Sequence, residues 1–369
     1  MFLALRDIRF AKGRFALMGS VVALITLLLV MLSGLTAGLG NQNTSALQKM
    51  GGGAPVSQIV FGAPGDNDAK ASFTESEVTA AQAKTWAETP GVASAVPVGV
   101  NQTRLQAKGA TKGTTNVAVF GVGAGGNEAG IAPSTVSDDT IVIGEGVAKE
   151  LNLAAGDVVT LAGVDLKVSA VVPDQWYSHT AVVWTSLPAW TKLAHISDQN
   201  QLATVLAVTF DAGSTVNVDA ANAAAGTVST TRTGSFAALG GYKSENGSLM
   251  MMQAFLYGIS ALVIVAFLTV WTVQRTRDIA VLKAMGASGS YLLRDALTQA
   301  AIVLLAGAAL GGAVGIIGGF FAAQAAPFLL TPATTLLPIV GIVVLGLIGA
   351  AAAVRNVTKV DALIALGGN

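Results

Sequence analysis

Long apolar runs without a single charge alternate along this chain with stretches in which polar and apolar residues interleave. No Asp, Glu, Lys or Arg occurs in the 34 positions from 15 to 48, the 29 from 246 to 274, or the 59 from 296 to 354. About 20 apolar residues in a helix cross the hydrocarbon core of a bilayer, so gaps of this length predict membrane spans. The first apolar run, residues 15–40, and the second, residues 249–273, each suit one helix. The third is too long for one and carries Pro327, Pro332 and Pro338 at its middle. It reads as two helices, 296–323 and 336–354, joined by an external hairpin at 324–335. A single span with a re-entrant segment is the other reading of that block. Arg6, Arg9, Lys12 and Arg14 ahead of the first run also suit a signal peptide. The run exceeds the about 7–15 residues of a signal h-region, however, and three more spans follow, so a retained anchor is expected.

Between the first two spans the pattern changes. Alternation of β-branched and polar residues predicts strands at 58–61, 116–122, 140–144, 157–163, 166–172, 180–185 and 202–210. Thr74 with Glu77 three positions on forms a capping box for a helix carrying Val78, Ala81 and Trp86 on one side. Glu145 to Asp157 reads as a short helix stopped near Gly156, and residues 218–229 as another. The predicted fold class is an α-helical membrane protein with four transmembrane helices plus a mixed α/β extracytoplasmic domain, residues 41–248, inserted between helices 1 and 2.

Charge orients the set and removes whole classes of function. The chain holds 21 basic and 21 acidic residues. That balance offers no concentrated basic surface for phosphates, so no nucleic acid is expected as a partner. Residues 1–14, 274–295 and 355–369 together carry ten basic and four acidic residues, against eleven and seventeen in the large inserted segment. The positive-inside rule places both termini and the 274–295 loop in the cytoplasm and the inserted segment outside the cell membrane. With no Cys, disulfides, thiolate metal sites and cysteine nucleophiles are excluded. Two His, no His-Glu-x-x-His and no Gly-x-Ser-x-Gly leave no hydrolase constellation. The pairs Asp138–Asp139 and Asp66/Asp68 read as solvated turn acids, and no intrinsic cofactor or metal is expected.

The 274–295 loop is more specific. Ile279, Leu282 and Met285 recur at helical spacing, while Arg275, Asp278 and Lys283 lie on other sides. Gly286 follows as a natural stop, because it enters the left-handed region without a Cβ penalty. Ser288 then suits the N-cap of the next helix. A short helix, a glycine stop and a new helix beneath the membrane make a stiff projection suited to receive force from a soluble partner, although an ordinary interfacial loop reads similarly. Farther on, Gly307, Gly311, Gly315 and Gly319 form three successive GxxxG steps, expected to pack inside the protein against the fourth span with Gly341 and Gly349.

The stretch Arg-Thr-Arg-Asp-Ile-Ala-Val-Leu-Lys-Ala-Met-Gly-Ala-Ser at 275–288, the domain between spans one and two, the opening Leu-Ala-Leu-Arg-Asp-Ile-Arg-Phe and the tail Val-Arg-Asn-Val-Thr-Lys-Val-Asp resemble the FtsX-like, MacB-type permeases of ABC transporters. The resemblance implies an amphipathic helix on the inner surface over 1–14. It also implies a coupling helix that contains Arg277, Asp278, Ile279, Leu282, Lys283, Met285 and Gly286 and docks on an ATPase. It further implies a permease homodimer in membrane lipid with two ABC ATPase subunits, which hold ATP and Mg. The residues agree with that division of labour. A P-loop needs Gly-Lys, and this dipeptide occurs nowhere in the chain.

Tyr242, Glu245, the run Leu249-Met250-Met251-Met252 and Tyr257 mark the junction of domain and second span. Methionine there suits plain packing or an adaptable apolar mouth. The sharper reading is a haem site at Glu245, Met250, Met251, Met252 and Tyr257, since thioether, carboxylate and phenolate groups all ligate haem iron and Leu249, Phe255 and Leu256 suit the macrocycle. Spacing leaves the ligand open among them. His179 is the weaker candidate, its strand-like context setting it above the membrane. The compact chain is similar to the haem-exporting branch of the family, which makes haem the expected transported substrate. Export of an antimicrobial peptide, drug or lipoprotein, and mechanotransmission to cell-wall hydrolases, are the alternative functions.

Overall fold

The computed structural model describes residues 12–52, 56–65, 67–108, 113–196, 198–274, 281 and 285–358. The inner-surface helix expected over 1–14 falls almost wholly outside this set, as do Asp66 and the tail beyond Thr358. The chain divides into two units, residues 40–246 and the remainder.

The membrane unit is built on four helices long and apolar enough to cross a bilayer: α1 (Lys12–Lys49), α6 (Tyr242–Gln274), α7 (Gly289–Ala322) and α8 (Pro332–Thr358). Their shared core joins Met18, Val22 and Leu29 of α1 to Ile264 and Leu268 of α6, Val303 and Leu304 of α7, and Ile342 of α8. Phe15 meets Trp271 edge to face at 5.9 Å. Pro332 opens α8, where its missing N–H costs nothing. Pro338 lies inside α8, as the expected fourth span at 336–354 implied.

The glycine stripe of α7 packs elsewhere than expected. A Cβ on Gly307 would stand 2.7 Å from the Gly19 carbonyl oxygen, and one on Gly311 2.1 Å from that of Ala23. Gly315 faces Val30, and Gly319 faces Phe328 and Leu330. The zipper therefore seats α1 and the α7–α8 hairpin, not the fourth span. Helix α8 instead meets α7 through Gly346 against Leu304 and through Ile339 over Gly312. The physical reason is backbone proximity. Small residues matter most where two main chains approach, and at Gly307 and Gly311 it is the α1 backbone that does so.

In the inserted domain the elements follow in the order β1 (Gln58–Phe61), β2 (Val78–Thr79), α2 (Ala80–Ala87), β3 (Val92–Ala107), β4 (Thr114–Val122), β5 (Thr140–Gly144), α3 (Glu145–Leu151), β6 (Val158–Leu161), β7 (Val164–Val172), β8 (Trp176–Tyr177), β9 (Thr180–Ser186), α4 (Leu187–Leu193), β10 (Gln201–Ala203), β11 (Val205–Phe210), α5 (Val218–Ala225) and β12 (Val228–Thr231). The main sheet runs β12-β1-β11-β3-β4-β9-β5-β7-β6, and β6 pairs back onto the far end of β3. Six strands thus close into a barrel, which leaves no free edges among them. Its interior is filled by Leu105, Val117, Val119, Ile141, Ile143, Val159, Leu161 and Val183, all buried.

Trp190 of α4 plugs this barrel. It lies over Gly99 of β3 and Gly121 of β4, which are cross-strand partners, and a Cβ on either would stand 2.1 Å from the Trp190 side chain. On the four-stranded extension, α2 and α5 cover Val60, Leu206 and Val208 with Trp86 and Ala221. The opposite face receives Ala46 and Leu47, from the last turns of α1, among Phe61, Phe120, Tyr177 and Trp184. Burial pushes the Tyr177 phenol well above its ordinary range.

Two local expectations shift. The capping box belongs to Thr79 and Gln82, five positions after Thr74 and Glu77, which frees Val78 to pair in β2. The helix at 145 stops at Asn152, whose φ of +49° provides the left-handed cap, ahead of Gly156.

Candidate functional site

Two groups of predicted residues bear on function, and they fare differently. Of the coupling residues, Arg277, Asp278, Ile279, Leu282 and Lys283 lie outside the described residues. Met285 donates its backbone N–H to the Val281 carbonyl at 3.0 Å, a helical turn, and its side chain is 71% exposed. Gly286 has a φ of +94°, the conformation a glycine stop supplies. Ser288 caps α7 by accepting from the Tyr291 N–H at 3.3 Å. An exposed methionine followed by a glycine stop and a capped helix presents an apolar side chain ahead of α7.

The second group lies on α6. Met250, Met251 and Met252 are exposed, as is Phe255. Tyr257, two turns beyond Met250, is half-buried with its ring 3.1 Å from where a Gly341 Cβ would stand. The tyrosine is thus part of the packing of α6 on α8, while the methionines present thioethers outward.

Glu245, in the first turn of α6, is held from two directions. Asn43, in the part of α1 that belongs to the domain, donates its amide to Glu245 Oε2 at 2.9 Å. His179 Nε2 lies 2.9 Å from the same oxygen. A carboxylate only accepts, so the imidazole proton sits on Nε2, and the 3.1 Å approach of Asn43 Nδ2 to that ring nitrogen is a neighbour contact between two donors. Glu245 Oε1 has no partner among the described residues. The weaker histidine candidate is therefore in direct contact with the leading carboxylate.

The turn that presents His179 is unusual. β8 and β9 pair Tyr177 with Thr180, leaving Ser178 and His179 as a two-residue hairpin loop. Both have positive φ, +45° and +62°, the type I′ pattern that normally selects Asn-Gly. Non-glycine residues there cost on the order of 1–3 kcal/mol each. Two backbone bonds offset that strain, Ser178 N–H to the Asn43 carbonyl at 3.0 Å and His179 N–H to the Gln42 carbonyl at 2.9 Å. The ring's other side borders a cleft of about 340 Å³ with Trp176, Asn116 and Glu150, so the imidazole is reachable from solvent. Nothing local in the sequence signals this cluster. His179 is 136 residues from Asn43 and 66 from Glu245.

Among the described residues no three His, Asp or Glu side chains converge as a metal site. The group at Glu245 offers one open carboxylate oxygen, a chemistry that binds a cation or completes the coordination of a metal already held by another ligand.

Comparison with family models agrees with this architecture. The MacB-like periplasmic core domain family matches residues 15–228, and the FtsX-like permease C-terminal family matches residues 250–362. A "Putative hemin transport system permease protein HrtB" of Staphylococcus haemolyticus is 26% identical over 376 residues, covering 100% of this chain and 99% of that one. An uncharacterized ABC transporter permease of Mycobacterium tuberculosis is 24% identical over 384 residues, with 100% and 99% covered. Among solved structures, the periplasmic region of MacB from Actinobacillus actinomycetemcomitans aligns with a TM-score of 0.37 and 12% identity, over 51% of this chain and 92% of that one. One family model takes in α1 and most of the inserted domain and the other takes in the remaining three spans. The chain accordingly belongs to the FtsX/MacB family of permeases, multi-pass membrane subunits of ABC exporters that carry no ATPase motif of their own.

Proposed function

We propose that this permease expels haem from the membrane, driven by a separate ATPase. The observation that carries the reading is the Glu245 carboxylate, fixed through one oxygen and open at the other, at the start of a helix that next presents three exposed methionines. Carboxylate and thioether are both competent ligands for haem iron, and the flat apolar macrocycle suits the exposed side chains of Met251 and Phe255. Similarity over the whole chain to a protein named as a hemin transport permease supports the same cargo. Haem is apolar across its face and anionic at its propionates, so it collects at the membrane interface. Capture sideways from the outer leaflet avoids drawing that face through water.

In this reading the termini and the 274–295 loop are cytoplasmic and the domain is outside. Two permeases and two ATPase subunits assemble, with ATP and Mg held by the ATPases. ATP closes the ATPase pair, the coupling helix carrying Arg277, Asp278, Lys283 and Met285 transmits the movement, and the mouth at Glu245, Met250, Met251, Met252 and Tyr257 changes shape. No residue of this chain bonds covalently to the porphyrin carbon skeleton.

Titration of the purified permease with hemin, followed by absorbance, tests the cargo. Saturable binding is expected, with a Soret maximum altered by Glu245→Ala or by one of the three Met→Ala substitutions. Absence of saturable binding, or identical spectra across that set and Tyr257→Phe, would move a peptide, drug or lipoprotein ahead of haem. Stimulation of the complex only by a cell-wall hydrolase would favour mechanotransmission.

A further inference from the structure

The Glu245 cluster contains two residues for which haem ligation has no evident use. Asn43 is 3% exposed, and its Oδ1 is buried without a partner among the described residues. An unpaired buried acceptor is unfavourable and is normally removed by turning the amide over. Here the turned amide would set Oδ1 against the Glu245 carboxylate. The amide therefore keeps the orientation that serves Glu245 and leaves its own oxygen unsatisfied. His179 shows the same bias, in a left-handed turn that its side chain does not favour, with its Nε2 aimed at Glu245.

Both donors converge on Oε2 and neither touches Oε1. A carboxylate pinned through one oxygen cannot rotate freely, so the other is presented in one direction. Hydrogen-bonded partners of a ligating group fix its orientation, and they act without contacting the metal.

We infer that His179 and Asn43 are positioning residues that orient Glu245, so that Oε1 alone meets the iron of a metalloporphyrin. The inference rests on the haem reading above and specifies how that site is held. It assigns His179 no bond to iron. Removing either donor leaves the ligand in place but lets the carboxylate turn.

The test is hemin titration of the full-length purified chain in nanodiscs, comparing wild type with His179→Gly, His179→Gln, Asn43→Ala and Glu245→Ala, each also followed by thermal unfolding. His179→Gly removes the imidazole while suiting the left-handed turn, so the fold should be at least as stable as wild type. Its hemin affinity should nevertheless fall about 10- to 100-fold, with the saturated Soret maximum unchanged. His179→Gln retains a donor and should recover most of the affinity. Asn43→Ala should fall similarly to His179→Gly, whereas Glu245→Ala should move the Soret maximum itself. Wild-type affinity in both His179→Gly and Asn43→Ala would overturn the inference and leave the cargo reading standing. A Soret maximum displaced by His179→Gly would also overturn it, by making the histidine an iron ligand. If the wild-type chain shows no saturable hemin binding, the cargo reading fails and this inference fails with it.

Discussion

Glycine brings surfaces together in both halves of the molecule, but the energy behind the contact differs. In the inserted domain, Gly99 and Gly121 face each other across two strands and leave a seat for the Trp190 ring. The driving force is removal of a large aromatic from water. In the membrane unit, Gly307 and Gly311 of α7 receive not a side chain but the backbone of α1 at Gly19 and Ala23. Lipid tails are as apolar as the helix, so burial contributes little there, and close van der Waals approach carries the association. The domain is held together by what it hides from water, the membrane unit by how near its main chains come.

That contrast orders the mutational effects. The largest belongs to the barrel plug. Trp190→Ala should cost about 3–5 kcal/mol, since it removes the ring and leaves a cavity over two glycines that cannot fill it. Gly121→Val should cost about 1–3 kcal/mol or more by forcing the ring off its seat. Chemical denaturation followed by tryptophan fluorescence reads both, and an unchanged midpoint would break the account of the barrel. Next comes Gly311→Val, which places a Cβ where the Ala23 carbonyl stands. It should loosen α1 from α7, seen as increased protease sensitivity of the membrane helices, while leaving the domain's transition in place. A lowered domain transition would contradict the separation of the two mechanisms.

A smaller effect is expected at Thr79, which caps α2 in a reciprocal bond pair with Gln82. Thr79→Ala should cost about 1 kcal/mol, a modest shift of the same fluorescence transition. Smallest is Asp165, exposed on β7 opposite Thr160 of β6. Hydrogen bonds from Lys108 and Thr160 hold its carboxyl below the ordinary carboxylate range. Its depressed folded value means that the contribution is complete above the ordinary range and disappears as pH falls through the depressed one. Exposure screens the pair, so Asp165→Asn should change stability slightly at neutral pH and not at all in strong acid. A larger loss in acid than at neutral pH would reverse that sign.

Much of the architecture was legible because each region has one dominant period. Uncharged runs longer than a bilayer requires marked the four spans, and alternating Val and Ile at 116–122, 140–144 and 180–185 marked barrel strands. The longest strand, β3, escaped that reading. Pro97 and Gly99 interrupt its pattern, Gln102 and Arg104 lie exposed on its outer side, and Asn101 sets a polar side chain on the opposite, inward face. Gly99 is there for Trp190, a contact that no local spacing announces. The α7 glycines announced a close approach without naming the partner, since a row of small residues looks the same whichever helix it receives. Thr74 and Glu77 satisfied the capping pattern but lost to Thr79 and Gln82, because Val78 is drawn into pairing with Ala203. Glu245 was singled out by its position beside the methionines. Its two partners lie in distant segments joined only by the folded domain, so Asn43 emerges from the geometry alone, and His179, the weaker ligand candidate by sequence, is placed beside Glu245 only there.

The central claim is that a haem-binding mouth on this chain is linked to ATP hydrolysis on another polypeptide. The most direct measurement is the ATPase rate of the permease–ATPase complex in nanodiscs, with and without hemin, for wild type, Glu245→Ala and Met285→Asp. The account predicts a rate raised by hemin but not by an unrelated amphipathic peptide, with the rise lost in Glu245→Ala and in Met285→Asp. A wild-type rate indifferent to hemin, or one equally raised when Glu245 is absent, would contradict it.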